Sequence, residues 1–316
     1  MGPRRLARAL LAHVLAAPAQ VGGQAVIEGV MMRGVANWSV AVRRPEGDIV
    51  LVDEVLRPWA SRRRVLRAPL VRGVIALGES LVIGMKALAI SAAHAAGEDE
   101  DGEGLTRTQV GLTLAFSLVL AVGLFFVLPV FLTSLLDLES GVAFWAVEGV
   151  IRVAILIAYL GLISLLPDLR RVFQYHAAEH MAIHAYEAGE PVEAESASRF
   201  SQLHVRCGTA FLLIVMVISV FVFAAVGTPA LHWLVLSRIV GVPVVAGISY
   251  EVIRWAGRHK DDRAVRVMMR PGLWLQHLTT RRPDLHQLEV ACRALRRVLA
   301  LEERRPAWAD KVEVMA

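Results

Sequence analysis

The sequence is poor in cysteine and carries no pattern typical of nucleic-acid binding. Cys207 and Cys292 are its two cysteines in 316 residues, and they do not resemble a disulfide framework. Neither a basic patch with interleaved aromatic residues nor the spacing of a helix-turn-helix is found along the chain. We therefore expect a reducing compartment and no nucleic-acid partner.

Apolar side chains, by contrast, are in excess. Hydrophobic residues make up 56% of the chain and its mean hydropathy is +0.52, values too high for an ordinary soluble domain. The formal net charge of +5 comes mostly from arginine, which in membrane proteins more often marks cytoplasmic flanks than nucleic-acid binding. The composition predicts a membrane protein with polar parts.

The first 60 residues divide into an extension and a small β unit. Residues 1–20 are basic and then rich in Ala and Leu, but Arg8 and His13 interrupt the apolar run. This favours an interfacial amphipathic helix over a signal peptide. Within residues 21–60, two β-rich runs flank the turn-forming segment 43–48, which predicts a small antiparallel sheet.

A long helix and an acidic linker are predicted next. The helix covers residues 65–95 and carries Arg72, Glu79 and Lys86 at seven-residue intervals. Such a polar stripe favours a helix that lies on the membrane or packs in a bundle over a lone span. Residues 96–108 are rich in Gly, Asp and Glu and predict a flexible linker.

Four apolar segments are predicted to cross the membrane as helices. They form two hairpins, with a polar loop between them and a polar tail after them. The fold class is therefore mainly α, a four-span helical membrane protein with a small N-terminal antiparallel β unit and cytoplasmic or interfacial helices. The spans cover 110–136, 142–166, 211–226 and 234–253; the hairpins cover 109–167 and 208–254, the loop 168–207 and the tail 255–316.

The distribution of Lys and Arg predicts the orientation. Residues 137–141 and 227–233 contain neither, whereas the N-terminal region, the 168–207 loop and the tail are rich in arginine. By the positive-inside rule both termini and that loop are cytoplasmic. Within the second span, Glu148 and Arg152 are four residues apart and are expected to pair inside the bundle.

The 168–207 loop contains the candidate metal ligands and a candidate catalytic base. His176 and His180 are one helical turn apart with Glu179 between them, which is the inverted zincin pattern His-x-x-Glu-His. Two imidazoles at this spacing can share a divalent metal, with the glutamate as base toward an activated water. His204 and Cys207 follow as a second pair that could complete the ligand set. The alternative is a solvated helix face that carries His and Glu by chance; His184 in particular is as consistent with a surface histidine as with a ligand.

Six motifs together resemble the YqhQ-like family of bacterial membrane proteins, which are described as metal-dependent enzymes without an assigned reaction. The resemblance spans Gly22 to Leu295 and implies a location in the bacterial cytoplasmic membrane. It also draws attention to several acidic residues: Glu195 as a further metal ligand, and Glu187 and Glu251 as further candidates. Glu28 could reach the site if the sheet folds back over it. The motifs lie at 22–34, 69–74, 175–180, 204–209, 247–251 and 271–280.

Three functions compete at this stage. The first is a membrane zinc hydrolase that acts at the cytoplasmic interface on a lipid-linked or peptide substrate, with Glu179 as the catalytic base. The second is a non-catalytic scaffold whose structural metal has a closed His/Cys ligand set. The third is a transporter, because of Glu148, Arg152 and the Gly/Pro-interrupted last span. All three involve the lipid bilayer, and the oligomeric state, including a homo-oligomer, stays open.

Overall fold

The computed structural model of the chain describes residues 21–97, 107–136, 138, 141–225, 231–259 and 262–304. The chain is mainly helical, with one small sheet close to its N-terminus. The predicted N-terminal extension, most of the acidic linker and parts of the loops at 137–141 and 227–233 lie outside the described residues.

The sheet is a four-stranded antiparallel meander in the order β1-β2-β3-β4, which confirms the predicted β unit. Ile27 and Glu28 form the two-residue turn between the first two strands, and Glu28 has a positive φ of 51°. Gly47 has a φ of 94°, a conformation that glycine adopts without strain, in the turn between the last two strands. The strands are β1 (Gly22–Val26), β2 (Gly29–Arg33), β3 (Asn37–Arg43) and β4 (Ile49–Val55).

The helices follow one another along the rest of the chain. A π turn at Gly123–Val127 lies just before Pro129, whose ring is incompatible with a regular helical hydrogen bond. The helices are α1 (Val71–Ala95), α2 (Arg107–Val122), α3 (Leu128–Ser134), α4 (Gly141–Ile163), α5 (Pro167–Glu187), α6 (Ala194–Ala197), α7 (Gly208–Ala224), α8 (Leu231–Arg258), α9 (Arg263–Thr279) and α10 (Leu285–Glu302).

Both faces of the sheet are covered by helices. Because side chains alternate along a strand, Met31 and Met32 point to opposite faces. Met32 packs with Val30 in one cluster that also contains the apolar faces of α5 and α10. Met31 packs with Trp38 in a second cluster under α1. The sheet therefore holds α5, the helix with the His-x-x-Glu-His motif, in a fixed position.

The start of α1 corrects the predicted boundaries of this helix. A single helix was expected from residue 65, but Arg64–Arg67 forms a separate 3₁₀ turn and α1 begins at Val71. Pro69 explains the break, because a proline disfavours the helical conformation in the residue before it. Ala68 is accordingly extended, with φ −62° and ψ 145°.

The polar stripe of α1 faces protein. Glu79 is buried and forms an ion pair with Arg33 at 2.5 Å, and Lys86 lies 3.1 Å from Glu54 on the last strand. Arg72 forms a double hydrogen bond with Glu251 of α8. These pairs favour the bundle alternative for this helix over one that lies alone on the membrane.

Among the described residues, three helices are long and apolar enough to cross a membrane: Val71–Ala95, Gly111–Ser134 and Gly141–Ile163. The second and third match two of the predicted spans, whereas α1 was not counted among them. Gly208–Ala224 is apolar but has only 17 residues. The number of four spans stays a prediction.

The predicted charge pair inside the helical part is present. Glu148 and Arg152 of α4 are fully buried and pair with each other, and Arg152 also donates to the Ser219 hydroxyl at 2.5 Å. The guanidinium lies over the rings of Phe126 and Phe223. All of these contacts lie within one bundle, which is consistent with a structural ion pair.

Candidate metal centre

Helix α5 presents three histidines in one column, because residues four apart lie on the same side of a helix. Its opposite side is made of small and apolar residues, among them Ala178 and Ala182, and packs into the core formed with the sheet and α10. The column of His176, His180 and His184 therefore faces away from the core, toward the segment 202–207 that precedes α7.

Three ligand-competent groups meet at one end of this column. One ligand atom each from His176, His180 and Cys207 lies within 4.8 Å of the others. His176 Nε2 is 3.2 Å from Cys207 Sγ. The sulfur also accepts a hydrogen bond from the Thr209 N–H, so Cys207 caps the N-terminus of α7. The sequence predicted all three as candidate ligands, together with His204 and Glu195.

The histidine rings of this trio are held by backbone carbonyls. His176 Nδ1 lies 2.8 Å from the Thr279 carbonyl oxygen, and His180 Nδ1 lies 2.6 Å from that of Gln202. A carbonyl oxygen can only accept a hydrogen bond, so the ring nitrogen that faces it must donate an N–H. Both rings therefore carry their proton on Nδ1 and keep a lone pair on Nε2. This outer contact is the one that metal-binding histidines commonly make.

His204 belongs to a second trio. One ligand atom each from His184, Glu187 and His204 lies within 4.8 Å of the others. The ring centroids of His184 and His204 are 4.6 Å apart, whereas those of His180 and His204 are 5.7 Å apart. The structure thus places His204 with the two residues that the sequence left as secondary candidates, and not with Cys207. Burial lowers the pKa of His204 to about 4, so its ring is neutral at neutral pH.

Glu179 lies beside the first trio and is buried against β1. Burial raises the pKa of its carboxyl to about 7, while His176, Arg206 and a hydrogen bond from the Gly23 backbone act in the opposite direction. The approach to β1 is close, since a Cβ on Gly23 would come within 2.7 Å of Glu179 Cγ. This contact requires glycine at position 23.

A cavity of about 430 Å³ connects these groups. Glu179 and the first trio line it together with His204 and Arg206, and residues Gly22 to Ala25 of β1 line it as well. Most of its remaining lining is apolar, with Val21, Val172, Phe173, Ile183 and Leu212 beside Gly208 and Thr209. The ligand-competent atoms therefore face a space that can hold a substrate, not a packed core.

Three candidates from the sequence lie elsewhere. Glu195 is exposed on α6 and belongs to neither trio. Glu28 pairs with Arg171 and accepts a hydrogen bond from the Tyr175 hydroxyl at 3.3 Å, so it fastens the β1–β2 turn to α5. Glu251 is occupied by Arg72 of α1. The sheet does fold back over the site, as the Glu28 hypothesis required, but it contributes glycine backbone and not this carboxylate.

Sequence reasoning missed the contribution of α9. The buried Gln276 donates to the His204 carbonyl at 2.8 Å and accepts from the His204 N–H at 2.9 Å, so it fixes the backbone of the ligand segment. Thr279 supplies the carbonyl that orients His176. The one available signal was the motif at 271–280, which contains both residues. Its Trp274 and His277 are exposed and do not cover the site.

Comparison with known proteins gives a family and no reaction. The family described as "Protein of unknown function (DUF1385)" matches residues 68–301. The "Uncharacterized protein YqhQ" of Bacillus subtilis (strain 168) is 35% identical over 298 residues, which cover 90% of this chain and 94% of that protein. No solved structure matches. The family match and this relative show that the chain belongs to the DUF1385 family, the YqhQ-like proteins that its motifs resemble.

Proposed function

We propose that this protein is a metal-dependent hydrolase of the bacterial cytoplasmic membrane. The observation that carries the proposal is the meeting of His176, His180 and Cys207 at a cavity that also holds the buried Glu179. Three protein ligands and an accessible fourth side are the pattern of catalytic zinc sites, whereas structural sites use four.

The residues fit a divalent metal, and zinc best. Two imidazoles and a thiolate are ligands that zinc prefers, and both rings keep Nε2 for the metal because Nδ1 donates to a carbonyl. A bound zinc ion would supply a Lewis acid that activates water and polarises a carbonyl or phosphoryl group. The protein would hold the substrate against this position in the cavity.

Glu179 is the group that we assign to proton transfer. It precedes the second histidine by one residue, as the base does in the His-x-x-Glu-His pattern. It lines the same cavity as the ligands, and the Gly23 backbone fixes it on the other side. In this role it takes a proton from the attacking water and returns it to the leaving group.

The surroundings support a substrate at the membrane surface. Cys207 caps the apolar α7, and three residues separate the end of the apolar α4 from the start of α5, so the segments that carry the site adjoin the ends of two apolar helices. With the arginine distribution of the sequence, these ends are cytoplasmic, as are both termini. The apolar cavity walls fit a lipid-linked or peptide substrate with an apolar portion.

Glu179→Gln tests the enzyme against a structural metal site. We expect the purified variant to fold and to keep close to one zinc per chain by elemental analysis. It should fail to restore the phenotype of a strain that lacks the gene. His176→Ala together with His180→Ala should remove the metal, and Glu195→Gln, an exposed glutamate outside both trios, serves as the control. Full complementation by Glu179→Gln would contradict the hydrolase and support a structural metal site.

A further inference from the structure

The buried His204 has a ring nitrogen without a hydrogen-bond partner. Only 4% of the residue is exposed, and its Nε2 makes no hydrogen bond. The nearest acidic atom is Glu187 Oε2 at 3.8 Å, which is too long for a hydrogen bond. Buried polar atoms without a partner are rare in folded proteins and point to a function or a bound ion.

Two further residues with ligand atoms lie close to His204. One ligand atom each from His184, Glu187 and His204 lies within 4.8 Å of the others. Nε2 of His184 donates to the Leu203 carbonyl at 2.9 Å, which leaves the ring's lone pair on Nδ1. One oxygen of Glu187 pairs with Arg206 and the other faces His204. The backbone of His204 is fixed by Gln276, so the site is built before any ion enters.

We propose that His184, Glu187 and His204 form a second divalent-cation site, separate from the site of His176, His180 and Cys207. Two imidazoles and a carboxylate suit zinc, manganese or iron, and the set has no sulfur. If Nε2 of His204 binds the cation, the ring proton must lie on Nδ1. Nδ1 can then no longer accept the hydrogen bond from the Arg206 N–H. That contact is 3.3 Å long and therefore weak.

The second site has its own access. A second cavity, of about 720 Å³, is lined by His184, Glu187 and His204 and does not include Cys207. Arg263, Arg266 and Arg270 of α9 line the same space. His204 borders both cavities, so the two sites are neighbours that otherwise face different spaces. The inference goes beyond the proposed hydrolase, because it needs only this second trio.

Cobalt titration of the purified full-length protein separates the two sites. Cobalt bound by a thiolate gives a near-ultraviolet charge-transfer band, which only the Cys207 site can produce. We expect the metal-free protein to bind two equivalents, of which one produces the band. His184→Gln with Glu187→Gln should lose one equivalent and keep the band, whereas Cys207→Ser should lose the band and keep one equivalent. His277→Gln, at an exposed histidine of α9, should bind as the unchanged protein does.

The outcomes are distinguishable. Binding of one equivalent with the band would overturn the second site and leave the first intact. Loss of the band in the His184→Gln, Glu187→Gln variant, with unchanged elution and thermal unfolding, would also overturn the inference, because the six residues would then form one site. One equivalent without the band, lost in that variant, would support the second site while it contradicts the first.

Discussion

At the scale of single residues, the chemistry of the site depends on how closely β1 approaches Glu179. The carboxylate is buried, and a Cβ on Gly23 would meet its Cγ at 2.7 Å, its Oε1 at 2.9 Å and the Met31 carbonyl at 2.9 Å. β1 is paired with β2 at this position and the Glu179 side chain is buried, so an added methyl group would have to displace the carboxylate or the strand. Glu179 can therefore occupy its position only because residue 23 has no side chain.

Gly23→Ala should displace Glu179 while the metal ligands stay in place. We expect normal zinc content, loss of complementation, and a free energy of unfolding lowered by about 1–3 kcal/mol from overpacking. Elemental analysis and denaturant unfolding in detergent measure the two quantities. Gly208→Ala is the matched control, because a Cβ at this position beside Cys207 meets nothing within 4 Å. If Gly23→Ala complements as well as Gly208→Ala does, the assigned position of Glu179 is wrong.

The residues of the site differ in how far the sequence could predict them. His176, His180 and Cys207 were predicted because ligand type and spacing are local features of the chain. The grouping of His204 could not be predicted, since it depends on the path of the segment before α7 and on Gln276, 72 residues away. The contacts from the Gln202 and Thr279 carbonyls could not be predicted either, because they are made by the backbone and do not depend on the type of side chain.

At the scale of elements, the last helix closes the fold onto the sheet. The Glu302 carboxylate, at the end of α10, accepts hydrogen bonds from the backbone N–H groups of Ala36 and Asn37 at 2.8 and 2.9 Å. The Asn37 side-chain amide adds a third at 3.2 Å. These bonds join residues about 265 positions apart and hold α10 across the face of the sheet that carries α5.

Removal of this carboxylate should loosen that contact. Glu302→Ala leaves buried backbone N–H groups unpaired, and hydrogen bonds to a charged group contribute about 1.5–3 kcal/mol each. We expect the loss of the two bonds from backbone N–H groups to lower the free energy of unfolding by about 3 kcal/mol or more, measured in detergent with denaturant. Glu303→Ala, at the exposed next residue, should stay within about 0.5 kcal/mol of the unchanged protein. Equal stability of the two variants would contradict this account of α10.

Helices with a strong apolar pattern were predicted to begin within a few residues of where they do, unlike α1. α4 begins one residue before its predicted span, and α7 begins three residues before its predicted span. The placement of the sheet between α1 on one side and α5 with α10 on the other was not predictable. It follows from contacts between distant segments, such as Met32 with Leu288 in one core, that no local pattern encodes.

At the scale of the whole molecule, the proposed orientation places the metal centre and the sheet on the cytoplasmic side. Segment 187–200 begins at the last residue of α5, and Glu190 in this segment is exposed. A Glu190→Cys substitution should therefore stay unlabelled when intact cells are treated with an impermeant thiol reagent.

Single cysteines within 137–141 or 227–233 should be labelled, because these segments contain no Lys or Arg and lie outside in this orientation. Cys207 and Cys292 are buried, so they should add no background. Labelling of Glu190→Cys only after the cells are permeabilised supports the orientation. Labelling of this position from outside would place the metal centre on the opposite face of the membrane and overturn the proposed cytoplasmic site.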